Sequence, residues 1–294
     1  MATATLTVPR EKTGRRRPHR TVGQRTGNFF IYFLAWALVV VILVPVAYII
    51  IGGFRTNSEI TQDPAGLPAT WRVENYVDVL VSEVFWREVL NSSIAAIATT
   101  LFVVTLGLMA AYVLARYQFR MRGVLYAVFA AGLMFPMTVA ITPLYILVRN
   151  LGLMNSLVGV IIPQVAFALP ITIIILVPFL QALPREIEEA AFIDGCSRLG
   201  FFWRMVIPLS MPGVITVGIL AFIASWNSYM LPLFILNNEA SFTLPLGVQA
   251  FASQYSVDTA KVLAFTSLSM IPALVFFSLF ERRIVGGLTG AVKG

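Results

Sequence analysis

A few uncharged polar side chains lie inside otherwise apolar stretches, and their types suit contact with a neutral, hydroxyl-rich solute. Amide and hydroxyl groups donate and accept hydrogen bonds without carrying a charge. The run Trp226-Asn227-Ser228-Tyr229 also combines an aromatic face with an amide, a pairing suited to sugar rings. The same groups form ordinary hydrogen bonds between membrane helices, so a purely structural role stays open. The candidates for lining a solute path are Gln164, Asn227 and Tyr229, with Ser225 and Ser228 as further polar groups.

A charged loop, residues 184–212, is the longest polar interruption in the second half of the chain. Pro184 suits the first turn of a helix, where no backbone N–H is needed. Acidic side chains in that turn complement the positive end of the helix dipole. These side chains belong to Glu186, Glu188 and Glu189.

The same loop predicts a second short helix. Asp194-Gly195 ends the first one, because glycine adopts backbone angles that other residues avoid. Ser197 can cap a second helix that runs to Met205 and stops at Pro208. Two short helices that meet at a glycine form a compact knuckle. From the loop alone, an interfacial amphipathic helix joining two membrane spans is an equally good interpretation.

Ionisable side chains are missing from the long apolar stretches, and this counts against several kinds of function. No Asp, Glu, Lys, Arg or His lies within them. Ion-coupled carriers usually place ionisable groups at mid-membrane, and a membrane-embedded hydrolase or metalloenzyme needs such groups as ligands. The chain also lacks a G-x-x-x-x-G-K-[ST] phosphate loop, so it does not bind ATP in that way. A transporter without ionisable groups in its spans and without a phosphate loop is driven by ATP hydrolysis in a partner protein, or it is a passive channel.

The elements that must position these residues are membrane-spanning helices. Hydrophobic residues make up 58% of the chain and charged residues 12%, with a mean hydropathy of +0.84, whereas soluble domains carry roughly 25% charged residues. Long apolar runs, rather than alternating residues, favour helices over a barrel. Prolines in the third and fourth spans, Pro136 among them, predict kinks. We predict an all-α membrane protein with six spans, residues 29–51, 89–115, 124–148, 157–180, 213–236 and 262–280.

The distribution of basic residues predicts the orientation of the spans. Of the 21 Lys and Arg residues, 16 fall on the side of the N-terminal tail and 5 on the other side. This bias places both termini and the loop of residues 184–212 in the cytoplasm. The net charge of +7 is concentrated in a basic tail, residues 1–28, directly before the first span. We therefore expect a disordered tail that touches anionic lipid, and no nucleic-acid partner.

The spacing within residues 184–212 resembles the EAA loop of ABC-importer permeases. That family's pattern reads EAA-x3-G-x9-I-x-L-P. Glu189-Ala190-Ala191 is followed by three residues and Gly195, and Met205-Val206-Ile207-Pro208 matches the end with similar apolar residues. In the family this segment is the coupling helix, which docks into a cleft on a separate ATPase subunit. We call residues 184–212 the coupling loop below.

Further motifs resemble the second permease subunit of carbohydrate importers of the maltose type. They are Asn91-Ser92, Ala111-Tyr112-x-Leu114-Ala115-Arg116, Pro143-Leu144-Tyr145, Leu151-Gly152-Leu153-x-Asn155-Ser156, Trp226-Asn227 and Leu244-Pro245-Leu246-Gly247. The ending, residues 287–294, resembles that family's GLTAGAVKG and is one small residue shorter. The resemblance implies a type I ABC-importer permease fold in the cell membrane. Its domains would be the tail 1–28, a six-span domain 29–284, and a cytoplasmic C-terminal tail 285–294 directed toward the ATPases.

The resemblance also implies the partners and the cofactors. The complex would contain a homologous second permease, two copies of a cytoplasmic ABC ATPase and an extracytoplasmic sugar-binding protein, surrounded by membrane lipid. ATP and Mg would be bound by the ATPase, with no cofactor, metal or catalytic residue in this chain. The implied ATPase contacts are Glu188, Glu189, Ala190, Ala191, Asp194, Gly195 and Arg198 in the coupling loop, and Gly290 and Lys293 in the tail.

Two other classes of function stay open at this stage. One is a self-contained carrier or channel for a neutral solute. The other is a membrane-embedded enzyme or assembly factor. The missing intramembrane ionisable residues count against both of them.

Overall fold

The structure is a computed structural model that describes residues 22–251 and 257–292, with side chains for residues 30–251 and 257–279. Within these ranges the chain is helical and contains no β-strand. The α-helices in chain order are α1 (Val22–Gly52), α2 (Asn57–Gln62), α3 (Glu74–Leu80), α4 (Glu83–Arg116), α5 (Arg122–Gly132), α6 (Met137–Asn150), α7 (Leu157–Gln181), α8 (Arg185–Ile193), α9 (Arg198–Phe201), α10 (Ile207–Leu209), α11 (Met211–Trp226), α12 (Met230–Ile235) and α13 (Thr259–Val292).

The chain divides into two units, residues 1–48 and residues 49–294. In the first unit, α1 begins at Val22 and so starts before the predicted first span, residues 29–51. Its apolar side chains from Phe30 to Val44 are mostly exposed, as in a helix that faces lipid or another protein. Most of the predicted basic tail, residues 1–21 with His19, lies outside the described residues.

Four described helices are long and apolar enough to cross a membrane: α1, α4, α7 and α13. Two bent pairs raise the number to six if each pair is one span. The third predicted span, residues 124–148, is one of these pairs, because α5 and α6 meet at 100°. Pro136 explains the break, since it lacks an N–H and disfavours helical angles at Phe135.

The predicted fifth span, residues 213–236, is also interrupted. Its first helix, α11, ends at Trp226, and α12 begins at Met230. Pro232 lies in the first turn of α12, where its missing N–H costs nothing. In one continuous helix its ring would collide with the carbonyl group of Ser228, four residues earlier.

Small residues let α4, α7 and α11 approach closely within the second unit. A Cβ atom at Gly107 of α4 would collide with the side chain of Thr172 on α7. A Cβ atom at Gly213 of α11 would lie within 3.2–3.3 Å of Phe179 and Leu176 of α7, which is closer than ordinary contact. Such contacts drive helix association in a membrane, where burial of apolar surface between helices gains little. These three helices therefore form the frame on which the polar residues are held.

The last helix, α13, contains the predicted sixth span and continues into the predicted C-terminal tail. It begins at Thr259 and ends at Val292. Gly290 lies in its last turn, and Lys293 lies outside the described residues. The predicted contact of this tail with the ATPases therefore stays a prediction.

Candidate coupling loop and solute cavity

The first arm of the coupling loop is a helix that ends in a glycine turn. Helix α8 runs from Arg185 to Ile193, with Pro184 at its N-cap, just before the first turn in which it was predicted. Gly195 has φ +80°, which is the left-handed region. The N–H of Gly195 donates to the carbonyl of Phe192 (3.1 Å), and the N–H of Cys196 donates to that of Ala191 (2.9 Å). This pair of hydrogen bonds is the Schellman motif, so the predicted turn at Asp194-Gly195 is confirmed.

The second arm begins as predicted but ends later. The Ser197 hydroxyl accepts a hydrogen bond from the N–H of Gly200 (3.1 Å), which caps α9. The chain then forms a π-helical turn, Phe202–Val206, and continues into α10. The prediction that Pro208 stops the helix is wrong. The wider turn, in which the N–H of Ile207 donates to the carbonyl of Phe202, leaves room for the proline ring.

One face of the knuckle is anchored to the ends of α4 and α7. Phe201 and Phe202 are buried in a cluster that includes Tyr112 of α4 and Leu180 of α7. Tyr112 and Phe202 have ring centroids 5.4 Å apart. Movement of the loop is therefore linked by direct packing to two membrane helices.

The opposite face of the knuckle is exposed and carries most of the predicted ATPase contacts. Exposed predicted residues are Glu189, Ala190, Asp194, Gly195 and Arg198, whereas Glu188 and Ala191 are half-buried. Large apolar side chains join them, because Ile193 is 85% exposed and Leu199 is 69% exposed. Sequence reasoning missed Ile193 and Leu199. The spacing of Ile187 and Ala191, one helical turn apart on the buried stripe, would have shown that Ile193 falls outside it.

Glu188 is half-buried and forms an ion pair within the chain. Its carboxylate lies 3.8 Å from Nε of Arg116, at the end of α4. Arg116 also donates from Nη2 to the carbonyl of Leu183 (2.9 Å), just before α8. Nearby, the guanidinium group of Arg198 lies 5.4 Å from the centre of the Tyr117 ring. Arg116 and Tyr117 therefore tie both arms of the loop to the end of α4.

A cavity of about 460 Å³ lies among α4, α6, α7 and α11. Gln164 lines it and is held from two sides. Its Oε1 accepts hydrogen bonds from the hydroxyl groups of Thr99 (3.1 Å) and Ser225 (2.6 Å). This contact joins α4, α7 and α11 through one amide group. Phe167 and Ser228 also line the cavity.

The structure separates the three predicted solute-path residues. Gln164 lines the large cavity, but Asn227 lines a second cavity of about 290 Å³ between α11 and α13. Tyr229 is 40% exposed and is not among the residues lining either cavity. Trp226 is buried and stacks on Phe222, and it lines the second cavity together with Asn227. Consecutive residues of a helix end face different directions, which the sequence run by itself could not show.

At the end of the second unit opposite the coupling loop, hydrogen bonds hold a platform, residues 237–247. Asn155 has φ 56°, and its Oδ1 accepts from the N–H groups of Asn237 (2.5 Å) and Asn238 (3.1 Å). Asn91 donates to the carbonyl groups of Ala240 (3.0 Å) and Phe242 (2.9 Å). Several motifs that are far apart in the sequence thus converge on one segment.

The platform is also anchored at its far end. Ser92 accepts a hydrogen bond from the N–H of Leu244 (2.7 Å). A Cβ atom at Gly247 would collide with the carboxylate of Glu88 and the ring of Phe265, so this position requires glycine. Among the described residues, no three His, Cys, Asp or Glu side chains form a cluster that could hold a metal ion.

A comparison with family models decides the identity of the chain. Residues 103–285 match the family described as binding-protein-dependent transport system inner membrane component. The chain belongs to this family. The match covers the coupling loop and Gln164, whereas Thr99 and Asn91 precede it.

Relatives of this permease include the diacetylchitobiose uptake system permease protein NgcG of Streptomyces coelicolor. It is 36% identical over 252 residues, which cover 85% of this chain and 83% of the relative. The trehalose transport system permease protein SugB of Mycobacterium tuberculosis is 35% identical over 255 residues, covering 86% and 93%. These relatives are permease subunits of sugar importers.

A solved structure shares the fold of the permease. A chain of a bacterial ABC transporter involved in the import of the acidic polysaccharide alginate superposes with a TM-score of 0.78 at 22% identity. The superposition covers 90% of this chain and 99% of that chain. The permease therefore has the type I ABC permease fold, and the predicted resemblance is confirmed.

Proposed function

We propose that this permease moves a carbohydrate across the membrane, and that its coupling loop docks on a separate ATPase and links transport to ATP hydrolysis. The observation that carries the proposal is the two-sided knuckle. Its aromatic face is packed on α4 and α7, while its other face exposes Glu189 beside Ile193. Exposed apolar side chains such as Ile193 and Leu199, rimmed by polar ones, are typical of a protein contact surface.

Each exposed residue has a distinct role in this docking. Glu189 supplies a charge for a polar contact, and Ala190 allows close approach because its side chain is small. Asp194-Gly195 sets the angle between the two arms, and Arg198 extends the surface on the second arm. Glu188 supports the loop through Arg116 in addition to its predicted contact with the ATPase.

The complete transporter would contain this permease, a homologous second permease, two copies of the ATPase and an extracytoplasmic sugar-binding protein. ATP and Mg would be bound by the ATPases, whose closure would push on the two coupling loops. The packing of Phe201 and Phe202 against α4 and α7 would pass this movement to the spans. Gly290 and Lys293 in the C-terminal tail would add a second contact with the ATPases.

The carbohydrate would pass the cavity that contains Gln164. Family membership does not decide which carbohydrate, because the relatives' names include diacetylchitobiose and trehalose, and the similar structure belongs to an importer of an acidic polysaccharide. Asn227 and Tyr229 would contact the solute from other positions along the path.

The first experiment tests docking by charge reversal. In Glu189→Lys we expect at least roughly tenfold weaker retention of the ATPase on the purified permease complex, which corresponds to about 1.4 kcal/mol. Glu239→Lys is the matched control, because Glu239 is also exposed and lies on the platform. Equal retention of the ATPase by Glu189→Lys and the control would contradict the coupling role.

A second experiment tests the orientation. Cys196 is the only cysteine of the chain and is half-buried in the coupling loop. A membrane-impermeant maleimide is expected to label Cys196 in inside-out vesicles and not in intact cells. Added ATPase is expected to slow the labelling in vesicles. Labelling from the outside of intact cells would place the loop on the wrong side of the membrane.

A further inference from the structure

We infer that the cavity around Gln164 accepts only uncharged glycans, and that Gln164 is the specificity-determining residue that donates hydrogen bonds to their oxygen atoms. This inference rests on the proposed function and goes beyond it, because it names the chemical class of the cargo. Its basis is the direction in which the amide group is held and the kind of groups that surround it.

The first step concerns the oxygen atom of the amide. Oε1 of Gln164 accepts hydrogen bonds from Thr99 and Ser225, which lie on two different helices. A carbonyl oxygen has two lone pairs, so this oxygen atom is saturated. The side chain is buried, with 7% of its surface exposed. The two hydroxyl groups therefore fix the orientation of the amide as well as its position.

The second step concerns the nitrogen atom of the amide. Nε2 carries two N–H donors. No described residue accepts a hydrogen bond from it, and Gln164 lines the cavity. These N–H groups belong to a residue that lines the cavity and have no acceptor there from the described part of the chain, so a ligand that brings acceptor oxygens can bind them.

The third step concerns the other polar groups of the cavity. The Thr172 hydroxyl donates to the carbonyl of Ala168 (2.8 Å), and the hydroxyls of Thr99 and Ser225 donate to Gln164. Ser228 adds a further hydroxyl, and Phe167 adds an aromatic face suited to the C–H face of a sugar ring. The other side chains that line the cavity are apolar.

Charge is the decisive property. The cavity wall contains no Lys, Arg, Asp or Glu among the described residues. A carboxylate or phosphate group entering it would lose its hydration without gaining a cation, which is strongly unfavourable. Hydroxyl, ring and glycosidic oxygens lose far less and can accept from Gln164. The volume of about 460 Å³ also lies in the range of small-molecule sites, roughly 300–1,000 Å³.

The test uses the complete transporter in proteoliposomes, with its own binding protein outside and ATP inside. The binding protein is first screened against two panels of glycans. The neutral panel contains trehalose, maltose, cellobiose and diacetylchitobiose, and the acidic panel contains alginate oligosaccharides, digalacturonate and trehalose 6-phosphate. We expect ATP-driven uptake of a neutral glycan. Uptake of an acidic glycan at a comparable rate would overturn the inference.

Two variants then test the donor on the neutral cargo. Gln164→Glu keeps the acceptor for Thr99 and Ser225 but replaces the donor by a charge, and uptake is expected to fall roughly 100-fold. Gln164→Met removes the donor without adding a charge, with an expected loss of roughly three- to tenfold. Gln181→Glu is the matched control, because Gln181 is exposed at the end of the same helix.

The outcomes separate this inference from the proposed function. Loss of uptake in both Gln164 variants, with normal uptake in Gln181→Glu, supports the donor role. Normal uptake in Gln164→Glu overturns it, whether or not Gln164→Met assembles. Absence of ATP-driven uptake for every glycan of both panels would instead contradict the proposed function.

Discussion

The coupling loop and the platform, residues 237–247, both connect longer helices of the permease, but different interactions hold them. In the coupling loop, aromatic side chains such as Phe201 are buried, and exposed side chains cover the other face. In the platform, Asn155 and Asn91 bind backbone atoms directly. Packing on one side holds the two helices of the coupling loop in place as a unit. Hydrogen bonds to the backbone hold the platform in one backbone conformation.

The difference agrees with the role proposed for the coupling loop. A packed helix pair that is anchored on one side can transmit a push, because its angle is set by one glycine turn and its base by tight packing. A segment held by hydrogen bonds to its backbone keeps its shape but is poorly suited to transmitting force to a membrane helix. The platform is therefore suited to presenting a constant surface, and the coupling loop to passing on movement.

The largest expected effect comes from Gly195→Pro. Proline requires φ near −65°, which is incompatible with φ +80° at this position, so the angle between the two arms is lost. We expect membrane insertion to persist and ATP-driven uptake in proteoliposomes to disappear, while ATP hydrolysis continues.

Gly152→Pro is the control for this variant. Gly152 has φ +70° at the end of the second unit that carries the platform, and a Cβ atom at either glycine would meet open space. The two substitutions therefore impose similar backbone strain in the two regions. Coupled transport in Gly195→Pro, or equal uncoupling in both variants, would argue against a specific role for the knuckle.

Asn155→Ala is expected to have the next largest effect, and on stability rather than coupling. It removes the acceptor for the N–H groups of Asn237 and Asn238, which costs about 1–2 kcal/mol. It also places alanine at φ 56°, which costs about 1 kcal/mol more. Thermal unfolding of the purified complex measures the sum.

Asn155→Gly separates these two contributions. Glycine loses the same acceptor but tolerates the positive φ, so its melting temperature should lie between those of the native complex and Asn155→Ala. Identical melting temperatures for the two variants would show that backbone strain plays no part at Asn155.

A smaller effect is expected for the contact between Arg116 and Glu188. The charges are 3.8 Å apart and only 6% and 18% exposed, so we expect a coupling free energy of about 1 kcal/mol. A double-mutant cycle with Arg116→Gln and Glu188→Gln, measured as the Kd of the ATPase for the purified permease, provides the value. Strictly additive effects would show that Glu188 acts independently of Arg116.

The smallest expected effect is a pH dependence at Glu59, outside the spans. A hydrogen bond from the N–H of Thr56 (2.8 Å), helped by one from Ala69 (3.1 Å), holds the pKa of Glu59 below its usual value of 4.5. The stabilisation is present above pH 4.5 and is lost as the pH falls through the lowered pKa. Melting curves between pH 3 and 6 should therefore show a weaker acid dependence in Glu59→Gln.

Local rules predicted the parts of this permease that depend on neighbouring residues. The glycine turn at Gly195 and the cap at Ser197 followed from residue types, because a Schellman turn and an N-cap each need only a few consecutive residues. Apolar length identified the helices, because backbone groups in lipid must be satisfied within one segment. The EAA spacing indicated the family for the same local reason.

Only the tertiary structure decided which distant residues meet. Gln164 is oriented by Thr99 and Ser225 from two other helices, and Arg116 meets Glu188 across two elements. The run of residues 226–229 predicted one path, but Ser228 lines the large cavity, Asn227 lines the second cavity and Tyr229 lines neither. The prolines marked local breaks, but the 100° angle before Met137 and the π-helical turn before Pro208 were not predicted. The composition and local pattern determine a sugar-importer permease, whereas the direction of its polar groups is set by helix packing, which no local pattern encodes.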